Sequence, residues 1–332
     1  FATARLLYKK ALQQEVNADV LIGLDKMNDP ADKPLIQEKL ESLTDEYELL
    51  RLALHFRANG QEPRAATIYE GVLQIREDPK AVIALYEISK THPQIPFDIA
   101  RFEQTESIEA VRQYLWYFSD RGMASMKTKM WKRLFQLGTN DAYDYLDYYQ
   151  ALMPEEQPAF FDTLLRLQSP GLLKSLMNAF ASQVGGVLER AERSEYYEMA
   201  AQLGERLLKL EDKPEHRATL SMHYNSLGFN ALFIKGYQKC YDAIQRGIEL
   251  NPDNLYLYTN LPHALLFMGE KEKAWEAYKK YESKPYYPER QRPFIREAYY
   301  FDFEDFRKDY EASPGKNFTE RMMKDMDEME KR

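Results

Sequence analysis

At 332 residues, 44% hydrophobic and 30% charged, the chain is long enough to bury a large core and too apolar to be disordered. Fourteen glycines and sixteen prolines are too few for an all-β protein built on tight turns, and one cysteine excludes a disulfide framework or a cysteine-rich zinc module. A net charge of −8 argues against nucleic acid as the main partner, and no apolar run reaches the about 20 residues that span a bilayer.

Helix-period spacing runs almost end to end and predicts an all-α fold. Over 3–16, Ala4, Leu7, Ala11 and Leu12 share one stripe. Asn28-Asp29-Pro30 breaks the chain, and Pro34 opens the next helix. Asp45 is an expected N-cap with Glu48 as its capping-box partner, followed by Leu49, Leu52, Ala53 and Phe56. A second helix with Ala65, Ile68, Tyr69, Val72 and Leu73 ends before Asp78-Pro79. Between 80 and 190 the helical spacing continues without a fixed repeat. Helices are expected at 107–119, 124–137 and 140–152, one starting at Pro154, and two across 171–210 divided near Arg193-Ser194. The predicted segments are 1–79, an irregular 80–190, a repeat block 191–281 and a C-terminal cap 282–332.

The clearest pattern lies in 219–281. Tyr224 and Tyr258, Leu227 and Leu261, Cys240 and Ala274, and Ile244 and Tyr278 each stand 34 residues apart. Each stretch reads as a helix, a turn at Gly236 or Gly269, and a second helix. This period, with Tyr224, Leu227 and Gly228 on the first helix and the small Cys240 on the second, resembles the tetratricopeptide repeat (TPR) family. Residues 46–79 and 196–214 fit the template more loosely. Pro262 departs from it, standing where a small residue belongs, and is expected to kink its helix.

The resemblance implies an α-solenoid of helical hairpins with a groove lined by the first helix of each pair. Carried onto this chain, the partner-binding positions are Met222, Asn225, Phe229 and Phe233, then Tyr256, Thr259, Asn260, His263 and Phe267. Aromatics interspersed with amides suit a peptide. The other reading is that several of these side chains pack against neighbouring helices. Replacing Phe229 and Phe267 with alanine separates the two: weakened binding for a groove, unfolding for a core. A carboxylate clamp is not expected, because Asn225 stands where a lysine is needed and Phe229 where an asparagine is needed.

After 281 the repeat stops. Lys284-Pro285-Tyr286-Tyr287-Pro288 reads as a linker. A helix over 294–311 with Phe294, Ala298, Phe301, Phe303, Phe306 and Tyr310 follows, then Phe318, Met322, Met326 and Met329 among charges. An array's apolar end must be covered, and 294–329 is the expected cap. The layout is similar to C-terminal repeat regions of bacterial multi-domain proteins, and the start at Phe1 suits a segment of a longer chain.

No other feature competes. The basic run Arg121, Lys127, Lys129, Lys132 and Arg133 around Trp131 reads as a solvated helix face, as do Asp141, Asp144 and Asp147. His55, His92, His216, His223 and His263 show no metal-ligand spacing, and Cys240 reads as a core thiol. No phosphate loop or nucleophile elbow occurs. The sequence therefore predicts a non-enzymatic, cytoplasmic scaffold with no cofactor or metal that binds a protein or peptide as the regulatory part of a larger protein. The alternative is a non-catalytic segment packed on a caspase-like peptidase or NTPase domain outside this chain.

Overall fold

The computed structural model describes residues 2–183, 189–287 and 292–331. Phe1 and Pro288, named above, lie outside them. The fold is all-α, with nineteen α-helices and one short strand pair among the described residues. By its internal contacts the chain divides into two units, Phe1–Thr139 and Asn140–Arg332.

The first unit holds α1 (Ala2–Gln14), α2 (Ala18–Lys26), α3 (Lys33–Glu41), α4 (Glu46–Ala58), α5 (Glu62–Ile75), α6 (Pro79–Thr91), α7 (Ala100–Gln104), α8 (Ile108–Asp120) and α9 (Ala124–Gln136). Helices α4 and α5 form the expected pair around Leu52, Ala53, Phe56, Ala65 and Tyr69, all buried. Asp45 caps α4 by accepting from the Glu48 amide at 2.9 Å. Glu48 does not complete a capping box. Its carboxylate instead accepts from the Ala18 amide at the start of α2, which ties two first helices together. Phe102 on α7 seals the next layer, its ring 4.9 Å from both Tyr114 and Phe118 of α8.

The second unit holds α10 (Ala142–Ala151), α11 (Gln157–Leu164), α12 (Pro170–Ser182), α13 (Arg190–Leu210), α14 (Pro214–Leu232), α15 (Tyr237–Leu250), α16 (Leu257–Met268), α17 (Lys271–Tyr281), α18 (Ile295–Ala312) and α19 (Glu320–Lys331). Two expected boundaries move. The helix expected at Pro154 starts at Gln157, after a turn, with Pro158 in its first turn. Arg193 and Ser194 do not divide the segment into separate helices. They lie inside α13, whose start is fixed by Glu189 and Glu192 in a reciprocal capping box. The expected linker at 285–287 is strand β1 (Pro285–Tyr287), paired antiparallel with β2 (Arg292–Phe294).

The hairpin pattern extends into the stretch where no fixed repeat was legible. Asn17, Asp45, Asp78, Ser107, Asp141 and Ser169 each accept a backbone N–H two or three residues on, opening α2, α4, α6, α8, α10 and α12. Successive caps stand 28 to 34 residues apart, opening every second helix along the chain.

Close approach between paired helices depends on missing side chains. A Cβ on Gly247 of α15 would lie 2.6 Å from Leu257 Cδ2 and 3.4 Å from Tyr224 Cβ. Gly247→Ala is expected to cost about 1–3 kcal/mol through overpacking. Gly71, inside α5, meets nothing within 4 Å, so Gly71→Ala should stabilise by about 0.5–1 kcal/mol. Urea unfolding of the two variants should therefore move in opposite directions from wild type.

Pro262 does not interrupt α16, which runs unbroken from Leu257 to Met268. Proline cannot donate to the carbonyl four residues back, here Tyr258. That carbonyl accepts from the Tyr299 hydroxyl of α18 at 3.3 Å in a buried position. Tyr299→Phe is expected to cost about 1–3 kcal/mol by orphaning it. The same substitution in a Pro262→Ala background should cost less than half as much, since the new amide restores the helical bond. Equal costs in both backgrounds would refute this role for the hydroxyl.

Candidate functional site

The first helices of the repeat pairs place the expected groove residues in two distinct settings. Met222, Asn225 and Tyr256 line a cleft of about 580 Å³. Its walls come from Asn178, Ala181 and Ser182 on α12, Tyr197 on α13, Thr219, His223 and Ser226 on α14, and Asn254 before α16. Met222 is 58% exposed at its edge. Sequence reasoning missed the α12 and α13 contributors, because neither helix keeps the 34-residue register.

The described residues that line the cleft are all uncharged. Asn260 Nδ2 donates to Asn225 Oδ1 at 2.9 Å, and Asn254 Nδ2 donates to Ser221 Oγ at 3.0 Å. Each bond orients an amide and leaves its other end, Asn225 Nδ2 and Asn254 Oδ1, without a protein partner among the described residues. The His223 ring stacks loosely on Tyr197, 6.4 Å between centroids. Its Nε2 is sealed from solvent with no hydrogen-bond partner in the described residues. Burial alone pushes the imidazole down to about 4, so it is neutral at pH 7.

The remaining expected groove residues are buried or half-buried, and Phe233, His263 and Phe267 are covered by the chain's own C-terminal helices. Phe233, Asn260, His263 and Phe267 are each at most 2% exposed, and Thr259 is buried with its Oγ1 donating to Tyr256 O at 2.8 Å. Phe306 of α18 lies 5.2 Å from the rings of Phe233, His263 and Phe267, and Phe318 lies 5.2 Å from Phe267. His263 Nδ1 meets the Tyr278 hydroxyl at 2.7 Å, and its Nε2 meets Asp302 of α18 at 3.2 Å. Phe229 is half-buried, edge-on to Phe233 at 5.2 Å, with the Arg190 guanidinium 5.4 Å above its ring. Here the second of the two sequence readings describes the molecule: Phe233, His263 and Phe267 form a core because α18 and α19 lie over them, and Thr259 and Asn260 are buried among the first helices.

The other sequence features have local structural partners. Arg121 pairs with Glu87 at 3.2 Å, Lys129 with Glu103 at 2.6 Å, and Arg133 donates to the Thr105 carbonyl. Asp141 caps α10, and no group of side chains arranged to hold a metal ion occurs among the described residues. Cys240 is fully buried, and desolvation pushes its thiol well above the ordinary range. No helix is long and apolar enough to cross a membrane, among the described residues.

The fold is therefore a TPR-like array of helical hairpins, carried by the α14–α15 and α16–α17 pairs with their matched 34-residue offset. No protein-family model matches the chain, and no curated protein sequence matches it. Solved structures similar to it include a thermophilic TPR protein of Thermus thermophilus, at 15% identity and TM-score 0.26, over 78% of this chain and all of that one. The TPR2AB domain of yeast Sti1 in its pHSP90 complex matches at 10% identity and TM-score 0.24, over 98% of this chain and 96% of that one. The Cut9–Hcn1 hetero-tetramer of APC/C matches at 14% identity and TM-score 0.26, over 82% of this chain but only 51% of that one. Scores at this level assign no partner.

Proposed function

We propose that the chain is a non-catalytic scaffold that binds a peptide or protein segment in the cleft between α12 and α16. One observation carries the reading: the repeat helices leave an open cleft where Met222, Asn225 and Tyr256 converge, while α18 and α19 pack over Phe233, His263 and Phe267. An exposed methionine beside two tyrosines supplies adaptable apolar contact, and flanking amides supply hydrogen bonds. The repeat block 191–281, together with the end of α12, then acts as the recognition unit and 282–332 as its cap.

The test is selection of displayed peptides on the intact protein, repeated on a Met222→Ala, Tyr256→Ala double variant. The reading predicts peptides that bind wild type and lose about tenfold or more affinity on the variant, with the unfolding midpoint little changed. Peptides that bind both proteins equally would place recognition elsewhere.

A further inference from the structure

We propose that the cleft takes an extended, uncharged stretch of polypeptide, held through its backbone amides and one apolar side chain, with affinity almost independent of salt. This rests on the peptide-binding reading above and narrows it.

Charge is the first argument. Among the described residues, no Asp, Glu, Lys or Arg lines the cleft. A carboxylate, phosphate or ammonium entering it would lose hydration and gain no opposite charge, a cost that a neutral segment avoids. His223 does not supply a cation, because burial keeps its imidazole neutral at pH 7.

Hydrogen bonding is the second. Asn225 turns its Nδ2 and Asn254 its Oδ1 away from their protein partners. One is a donor and the other an acceptor, the pair that a peptide C=O and N–H require. Asn178, on the opposite wall, is exposed with no protein partner among the described residues. Met222, exposed and lining the same cleft as Tyr197 and Tyr256, offers an apolar surface for one side chain. Flexible thioether and aromatic faces accept many shapes, so selectivity falls on backbone geometry and absence of charge.

The experiment uses the full chain and a displayed library of ten-residue segments, with the best binders synthesised as acetylated, amidated peptides. Their affinities are measured by calorimetry at 50 mM and 1 M NaCl. The expected result is selected centres without Asp, Glu, Lys or Arg and a Kd that changes by less than about twofold between the two salts. N-methylation of a central amide should weaken binding by about tenfold, and Asn225→Ala and Asn178→Ala by about fivefold each. Asn178 makes no hydrogen bond among the described residues, so its variant reads recognition rather than folding. Charged centres with steep salt dependence, or indifference to N-methylation, overturn the inference while leaving peptide binding intact. Binding of a neutral oligosaccharide and of no peptide overturns both. Peptide affinity unmoved by the Met222→Ala, Tyr256→Ala variant overturns the site itself.

Discussion

Phe306→Ala is expected to lower the unfolding free energy by about 3–5 kcal/mol, the largest effect of any single substitution considered for this chain. The ring is fully buried and stands within 5.2 Å of Phe233, His263, Phe267 and Phe318, which come from the C-terminal end of α14, from α16 and from the segment before α19. Its removal leaves a cavity that three elements border and none can fill alone. At about 2–4 °C per kcal/mol the melting point should fall by roughly 10 °C. Phe267→Ala should behave similarly, because it borders the same cavity. Phe229→Ala, at a half-buried ring, should cost less. Equal, small effects from all three would mean that α18 does not seal the repeats.

The second large expectation concerns acid. An unfolded chain binds a proton at His223 near the ordinary value of 6.5, whereas burial holds the folded imidazole neutral down to about 4. The folded value is the lower one, so the stabilisation is complete above pH 6.5 and is lost as pH falls from 6.5 to about 4. Each unit in that window is worth 1.36 kcal/mol, giving about 3 kcal/mol in all. Carboxylates lose their own contributions near the acid end of this range, so the informative quantity is a difference. Urea unfolding of wild type and His223→Gln at pH 7.0 and 4.5 isolates it: the variant should lose about 2–3 kcal/mol less than wild type on acidification. Parallel losses would mean that water or another group solvates the imidazole.

Local signals proved more legible than tertiary ones. Asp45 caps α4 as its side chain dictates, and the 34-residue offset between Tyr224 and Tyr258 places two helix pairs in register. Between Asp45 and Ser169 the same pairing persists, but caps spaced unevenly defeat a search for a fixed period. Arg193-Ser194 reads as a break, yet Ser194 lies within a 21-residue helix and is 1% exposed, on its packed side. Pro262 reads as a kink, and the compensating Tyr299 hydroxyl comes from 37 residues further along the chain.

The site divides in the same way. Met222, Asn225 and Tyr256 could be placed from repeat register alone, since register decides which way a first helix turns each side chain. Whether that side remains open is decided by what packs over it. Phe233, His263 and Phe267 have the same register pattern, and residues 299–318 cover them. Nothing in a repeat template specifies where a non-repeat segment will lie. Register does not place Asn178 and Tyr197 in the groove, for the opposite reason: α12 shows no fit to the repeat template and α13 only a loose one, yet both helices border the cleft.

Amide hydrogen exchange, with and without a peptide selected on the intact protein, tests the central claim most directly. The account predicts added protection at 178–182, 219–226 and 254–256, with α18 as slow to exchange free as bound. Protection confined to other segments, or exchange showing that α18 leaves Phe233 and Phe267 to make room for the peptide, would contradict it.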